Sequence, residues 1–335
     1  MTWLNTILPA DESGQHFFVP EVVQTSNMDC GPAALKAMLE GFDIGVSYGR
    51  LREACQTSVD GTSIDTLEEV ARQLGLNARQ IMVPTDHLFA ATTHTLPALV
   101  VVGLPNGLTH FVIVWRKHGR FLQVMDPGAG RRWMTREHFL EQLYIHTQPF
   151  AADAWRQWAG GAGFLRPLQE RLQALFIADS TIEELFRAAL TDPSWFSLAT
   201  LDAATRMVES MVRADGLDAG DEAQQLIMRL YQMAQENPAR AVGRIIPPVY
   251  WFATPDRADP ALVLIRGAVL VRVQGRLPEA PRQPQVATEA ETEPEAEAAT
   301  ESAKPPLAPE LVAALEEPDA QPEARSGGCS RKMVC

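Results

Sequence analysis

The sequence predicts an α+β domain, then a mainly helical domain with a small β hairpin, then a disordered acidic tail. Three observations carry that prediction. A helix-forming run begins at Cys30, directly after a loop rich in Ser, Asn and Asp. Two short apolar runs, 109–115 and 121–127, are rich in β-branched and aromatic residues and read as buried strands. Beyond residue 150 the apolar positions take helical spacing, and from Pro278 the composition turns to Glu, Ala, Pro and Thr.

The elements follow in order. Residues 1–16 read as an N-terminal arm, with neither the basic region nor the apolar core of a signal peptide. Gln24-Thr25-Ser26-Asn27-Met28-Asp29-Cys30-Gly31 leads into a helix built on Ala33, Ala34, Leu35, Ala37, Met38 and Leu39. Pro32 suits the first helical turn, where its missing N–H is not needed, and Gly41 reads as the C-terminal cap. Cys30 therefore stands at the positive end of a helix dipole, which favours the thiolate, the nucleophilic form. A lone Cys is more often a small buried hydrophobe, and Cys55, at the end of a short helix over 48–55, reads that way. Asp29 reads as a loop or cap residue of the Cys30 helix. Thr62-x-x-Asp65 resembles a capping box; Ile64, Leu67, Ala71 and Leu74 then make one apolar face, closed by Gly75. Strands follow over 78–83 and 97–104, joined through a short helical piece at 87–92.

The two apolar runs flank Lys117-His118-Gly119, a hairpin loop between Arg116 and Arg120. If Arg116 pairs with Arg120, the same register sets His110 opposite Asp126. Directly opposed residues share one face of a sheet, so the two are predicted neighbours. A carboxylate there would hold the tautomer and orientation of an imidazole base serving Cys30. Thr135 is predicted to cap a helix over 136–145.

Gln-x-x-x-x-Asp-Cys-Gly, His-Phe-Val-Ile-Val and Asp-Pro-x-x-Gly, in that order, resemble the papain-like cysteine peptidase domain of bacteriocin-processing ABC transporters. Those domains remove double-glycine leader peptides from bacteriocin and related precursors. The resemblance covers about residues 17–145 and includes Asp60-Gly61-Thr62-Ser63 and Leu74-Gly75-Leu76. It implies a papain-like α+β fold, with Cys30 as nucleophile, His110 as general base and acid, Asp126 as orienting carboxylate and Gln24 as oxyanion donor. It implies a peptide precursor as substrate and no cofactor. The transporters also carry membrane and nucleotide-binding domains. This chain has no run of about 18 apolar residues and no Gly-x-x-x-x-Gly-Lys-Ser/Thr. With no transmembrane segment of its own, it is not expected to be the pump: either another chain, such as a separate ABC transporter, moves the product, or the role has drifted.

Four domains are thus expected: an arm over 1–16, the peptidase domain over 17–150, a mainly helical domain over 151–277 and the tail over 278–335. In the third, helices are expected over 155–176, 182–190, 198–214 and 218–235, then strands over 249–252 and 261–273, the latter turned into a hairpin at Arg266-Gly267. Glu183, Glu184, Asp218, Asp221 and Glu222 read as solvated acids or helix starts, and Trp155, Trp158 and Trp195 as core. Its default role is interaction. Residues 278–328 carry twelve acids against three bases, most of the net charge of −13, which argues against a nucleic-acid partner. The four cysteines, at 30, 55, 329 and 335, make neither a disulfide framework nor a zinc spacing, and no other histidine shows metal-ligand spacing. A working thiolate needs a reducing compartment, so the cytoplasm is expected, at the inner face of the membrane if a transporter is the partner.

Two functions from different classes fit: a cysteine endopeptidase cutting after Gly-Gly, or a peptidase-like module that binds leaders and delivers cargo to a separate transporter. Gly327-Gly328 adds a third possibility, self-cleavage releasing a heptapeptide that begins at Cys329.

Overall fold

The computed structural model describes residues 14–57 and 61–278. Asp60, most of the expected arm and nearly all of the expected tail, with Gly327-Gly328, Cys329 and Cys335, lie outside the described residues. The chain divides into two compact units. Of the described residues, the first comprises 14–57, 61–77, 127–130 and 275–278; the second comprises 78–126 and 131–274.

The first unit is helical. α1 (Cys30–Glu40) is almost wholly buried, as its run of Ala, Leu and Met requires. Gly41 caps it in the right-handed conformation, with its N–H donating to Ala37 O. α2 (Tyr48–Ala54) buries Leu51 and Ala54. α3 (Ile64–Gln73) buries Leu67, Val70 and Ala71. Its cap is Ser63 rather than Thr62. The Ser63 hydroxyl accepts from the Thr66 N–H, whereas the Thr62 hydroxyl is engaged with Thr57 at 2.8 Å.

The second unit holds the sheet and five longer helices. The strands are β1 (Leu76–Val83), β2 (Ala98–Gly103), β3 (Thr109–His118), β4 (Phe121–Asp126), β5 (Gly130–Thr135), β6 (Ile145–Ala151), β7 (Ala253–Pro255) and β8 (Leu262–Arg276). They run in the order β1-β8-β2-β3-β4-β5, with β6 and β7 also pairing β8. β2·β3, β2·β8, β3·β4, β6·β8 and β7·β8 are antiparallel. β2 is buried from Ala98 to Val102, which accounts for its unbroken apolar run. Leu88, Val100, Val112, Val114, Leu122, Val124, Phe139 and Leu270 form one core cluster against the sheet.

Several expectations change here. α4 (Arg136–Gln142), capped by Thr135 as predicted, stops three residues early because Ile145 opens β6. The predicted helix over 155–176 is two, α5 (Ala152–Ala159) and α6 (Ala162–Ala174), broken at Gly160-Gly161. α7 (Asp179–Thr191), α8 (Phe196–Arg213) and α9 (Asp221–Glu236) follow as expected. Residues 248–250 form a single 3-10 turn, and the strand begins only at Ala253. No turn occurs at Arg266-Gly267: β8 runs straight through, and the hairpin is β7–β8. Gly267 is needed for close approach instead, since a Cβ there would stand 2.4 Å from Val83 O. β8, from the region expected to be a separate domain after residue 150, lies between β1 and β2 of the peptidase region. The compact units accordingly do not divide at residue 150.

Candidate active site

The first unit carries Cys30 and Gln24. Cys30 is the first residue of α1 and is buried. Asp29 occupies the N-cap position without capping. Its carboxylate, fully buried, accepts from Arg52 Nε at 2.8 Å and from Thr25 Oγ1 at 3.0 Å. Asp29 thus pins the loop before Cys30 and ties α2 to the start of α1. The Gln24 N–H donates to Pro127 O at 2.9 Å, while its side-chain Oε1 is buried and has no partner among the described residues. Gly130, the last residue of Asp-Pro-x-x-Gly, has φ +86°, and a Cβ there would lie 2.2 Å from Glu21 Oε1. The positive φ is what selects glycine at this turn, since the Glu21 carboxylate is the end of a flexible side chain. Cys55 stands apart in the same unit: burial pushes its pKa up to about 12, so it remains a thiol at neutral pH.

The second unit carries His110 and Asp126, and the sheet brings them together. His110 Nε2 and Asp126 Oδ1 are 2.8 Å apart, the residues 9% and 8% exposed. The register differs from the predicted one. His118 pairs with Phe121 across a two-residue turn, a bulge follows between Val114 and Arg116, and Ile113 pairs with Met125. Carried one step on, this sets Asp126 across from Val112, two residues from His110. The shift of two preserves the parity of the pleat, so His110 and Asp126 still share a face as diagonal neighbours. Arg132 Nη2 donates to Asp126 Oδ2 at 2.8 Å. Arg132 was not singled out from the sequence; its only signal there is position, on the strand that follows Asp-Pro-x-x-Gly.

A second charged cluster lies in the same unit. Arg171 Nη1 meets Asp86 Oδ2 at 2.7 Å and Asp202 Oδ1 at 2.9 Å; Arg206 meets Asp86 at 2.9 Å and Asp202 at 2.7 Å; Glu209 adds a third carboxylate to Arg171. Ligand atoms of Asp86, His87 and Asp202 lie within 4.8 Å of one another, as a metal site would require. The residues do not fit one, because two guanidinium groups already neutralise both carboxylates. Burial alone would raise Asp86, but Arg171 and Arg206 outweigh it and hold it well below the usual carboxylate range. At Asp202 burial wins and the shift is upward. His87, chiefly through burial, is pushed down to about 3 and stays neutral. This cluster was not legible as a site, since its members are far apart in sequence.

Of the other histidines, His16 pairs with Asp43 at 2.7 Å and His138 with Glu141 at 3.4 Å, surface interactions without catalytic geometry. No described helix is long and apolar enough to cross a membrane.

Comparison with known proteins agrees with the motifs. The Peptidase C39 family matches residues 18–145. The chain is 33% identical over 104 residues to the pediocin PA-1 transport/processing ATP-binding protein PedD of Pediococcus acidilactici, covering 31% of this chain and 14% of that protein. It is 32% identical over 133 residues to the transport/processing ATP-binding protein ComA of Streptococcus pneumoniae, covering 38% of this chain and 18% of that one. It therefore spans less than a fifth of the length of these relatives. Among solved structures, the peptidase domain of Streptococcus ComA aligns with a TM-score of 0.34 at 27% identity, over 37% of this chain and 91% of that domain. Residues 18–145 of this chain are a Peptidase C39 domain, homologous to the matching stretch of these transport/processing proteins.

Proposed function

We propose that this domain is a cysteine endopeptidase that removes leader peptides from ribosomally made precursors, cutting after Gly-Gly. The observation that carries the reading is the His110–Asp126 pair at 2.8 Å, together in one chain with a cysteine at a helix start. Asp126 engages Nε2, which makes Nδ1 the nitrogen for proton transfer with the Cys30 thiol. The Cys30 sulfur attacks the scissile carbonyl carbon as His110 takes its proton. The Gln24 side-chain N–H and the Cys30 backbone N–H receive the oxyanion. His110 then returns the proton to the departing amine, leaving a Cys30 thioester. Water, deprotonated by His110, hydrolyses the thioester and restores the thiol. Asp126 keeps the imidazole oriented, and Arg132 holds Asp126 in place.

The precursor requirement for Gly-Gly rests on the family resemblance and on geometry, since glycine lets backbone approach the nucleophile closely. The relatives are named as transport and processing proteins, so we assign export of the product to a transporter and the reaction to the cytoplasm. The test is incubation of the full chain with a precursor carrying a Gly-Gly junction, read by mass spectrometry. Cleavage after the second glycine, absent in Cys30→Ala, is the expected result. Cleavage that persists in Cys30→Ala overturns the assignment. Tight binding of the leader with no cleavage by the wild type would establish the leader-binding module instead.

A further inference from the structure

The second unit contains a cavity of about 500 Å³ that includes none of Cys30, Gln24, His110 or Asp126. Its volume suits a small organic ligand. Two features mark it as more than a packing gap. The first is that five of the residues lining it carry a buried polar atom with no hydrogen-bond partner among the described residues: Trp155 Nε1, Arg272 Nε, His87 Nε2, Thr92 Oγ1 and Gln80 Oε1. Trp155 and His87 are each 1% exposed. Buried polar groups are nearly always satisfied, so several orphans around one hollow point to a ligand that satisfies them. The second is charge. Arg79 and Arg272 both line the cavity, and no described carboxylate pairs with either. Burial first, and Arg79 second, lower Arg272 from its usual range, yet a guanidinium stays charged at neutral pH. His87 adds no charge, being neutral. The remaining wall is mixed; its aromatic part has Trp155 and Phe252 at depth and Trp158 and Phe150 partly exposed, beside aliphatic residues such as Ile81 and Ile265.

We propose that this cavity binds a flat aromatic carboxylate that also carries a hydrogen-bond donor. The ring lies among the Trp155, Trp158 and Phe252 side chains, and the carboxylate lies toward Arg272 and Arg79, with the Trp155 N–H available as a further donor. The donor requirement comes from Gln80 Oε1, which can only accept. Trp155 and Trp158, which composition assigns to the core, gain a binding role through this wall. Most of the cavity is built from β1, β6, α5 and β8, so it depends on the strands that the region after residue 145 adds to the sheet.

The test is calorimetric titration of the full chain with indole-3-acetate and, in parallel, with its neutral isostere indole-3-acetamide. The acid should bind about tenfold or more tighter than the amide, the factor expected of one charge-assisted contact. Arg272→Gln should remove that preference, and so should Arg79→Gln, an exposed position where the substitution leaves the fold intact if Arg272→Gln does not. Equal binding of acid and amide, an acid preference that survives both substitutions, or no binding of either at millimolar concentration would overturn the proposal.

Discussion

His110 and His87 are both buried histidines near an aspartate, in the same compact unit, and their surroundings give them opposite characters. At His110 the carboxylate of Asp126 is committed to the imidazole, with Arg132 on its other oxygen. At His87 the neighbouring carboxylate of Asp86 is committed to Arg171 and Arg206, and the imidazole is left neutral with an unpartnered Nε2. A histidine beside an aspartate becomes an acid–base group only when the carboxylate faces the ring rather than a guanidinium. The first arrangement supports proton transfer; the second is a structural ion-pair network at the wall of a cavity.

The sharpest way to break this contrast is substitution at each centre. His110→Ala should lower kcat/KM for precursor cleavage about 10²–10⁴-fold, the range for a general base, with little change in the unfolding midpoint. Arg171→Met should do the reverse. It leaves the buried carboxylates of Asp86 and Asp202 to share Arg206 alone, so urea denaturation should show a loss of up to about 3–5 kcal/mol, while the folded fraction keeps its cleavage activity. A large stability loss from His110→Ala with unchanged cleavage would invert the assignment.

The pH dependence sharpens it further. The folded pKa of His87, about 3, lies below the value of 6.5 in the unfolded chain. The unfolded state therefore binds a proton first as pH falls. The contribution is fully present above about pH 6.5 and is lost progressively between 6.5 and 3. The urea midpoint of the wild type should fall across that window, and the fall should be shallower in His87→Asn. A smaller effect is expected at Arg132, whose side chain is 42% exposed. Arg132→Gln should lower kcat/KM by about tenfold at most, since one charge-assisted hydrogen bond to Asp126 is lost and water can replace part of it.

The legible and illegible parts of this molecule differ for physical reasons. His110 and Asp126 were readable as neighbours because a strand's faces alternate with period two, and the actual register shift kept that parity. The bulge at Val114/Arg116 and the two-residue turn were not readable, because nothing local to Lys117-His118-Gly119 selects one loop length over another. α1 was readable through its alanines and its punctuation. β6 was hidden because its residues include Pro149 and are mostly exposed, so no apolar period marks it. Gly267 misled because a glycine inside a strand pattern can mean a turn or a close approach, and here the carbonyl of Val83 decides. The Arg171 network could not be seen at all, since Asp86 and Arg206 meet across 120 positions of sequence.

The central claim is that Cys30 is a nucleophile activated by His110. The most direct measurement is pulse alkylation of the full chain at neutral pH with peptide mapping of each cysteine, in the wild type and in His110→Ala. The account predicts rapid modification of Cys30, none at Cys55, whose thiol burial holds at a pKa of about 12, and a marked slowing at Cys30 when His110 is removed. Modification of Cys55 at the rate of Cys30, or a Cys30 rate indifferent to His110→Ala, would contradict it.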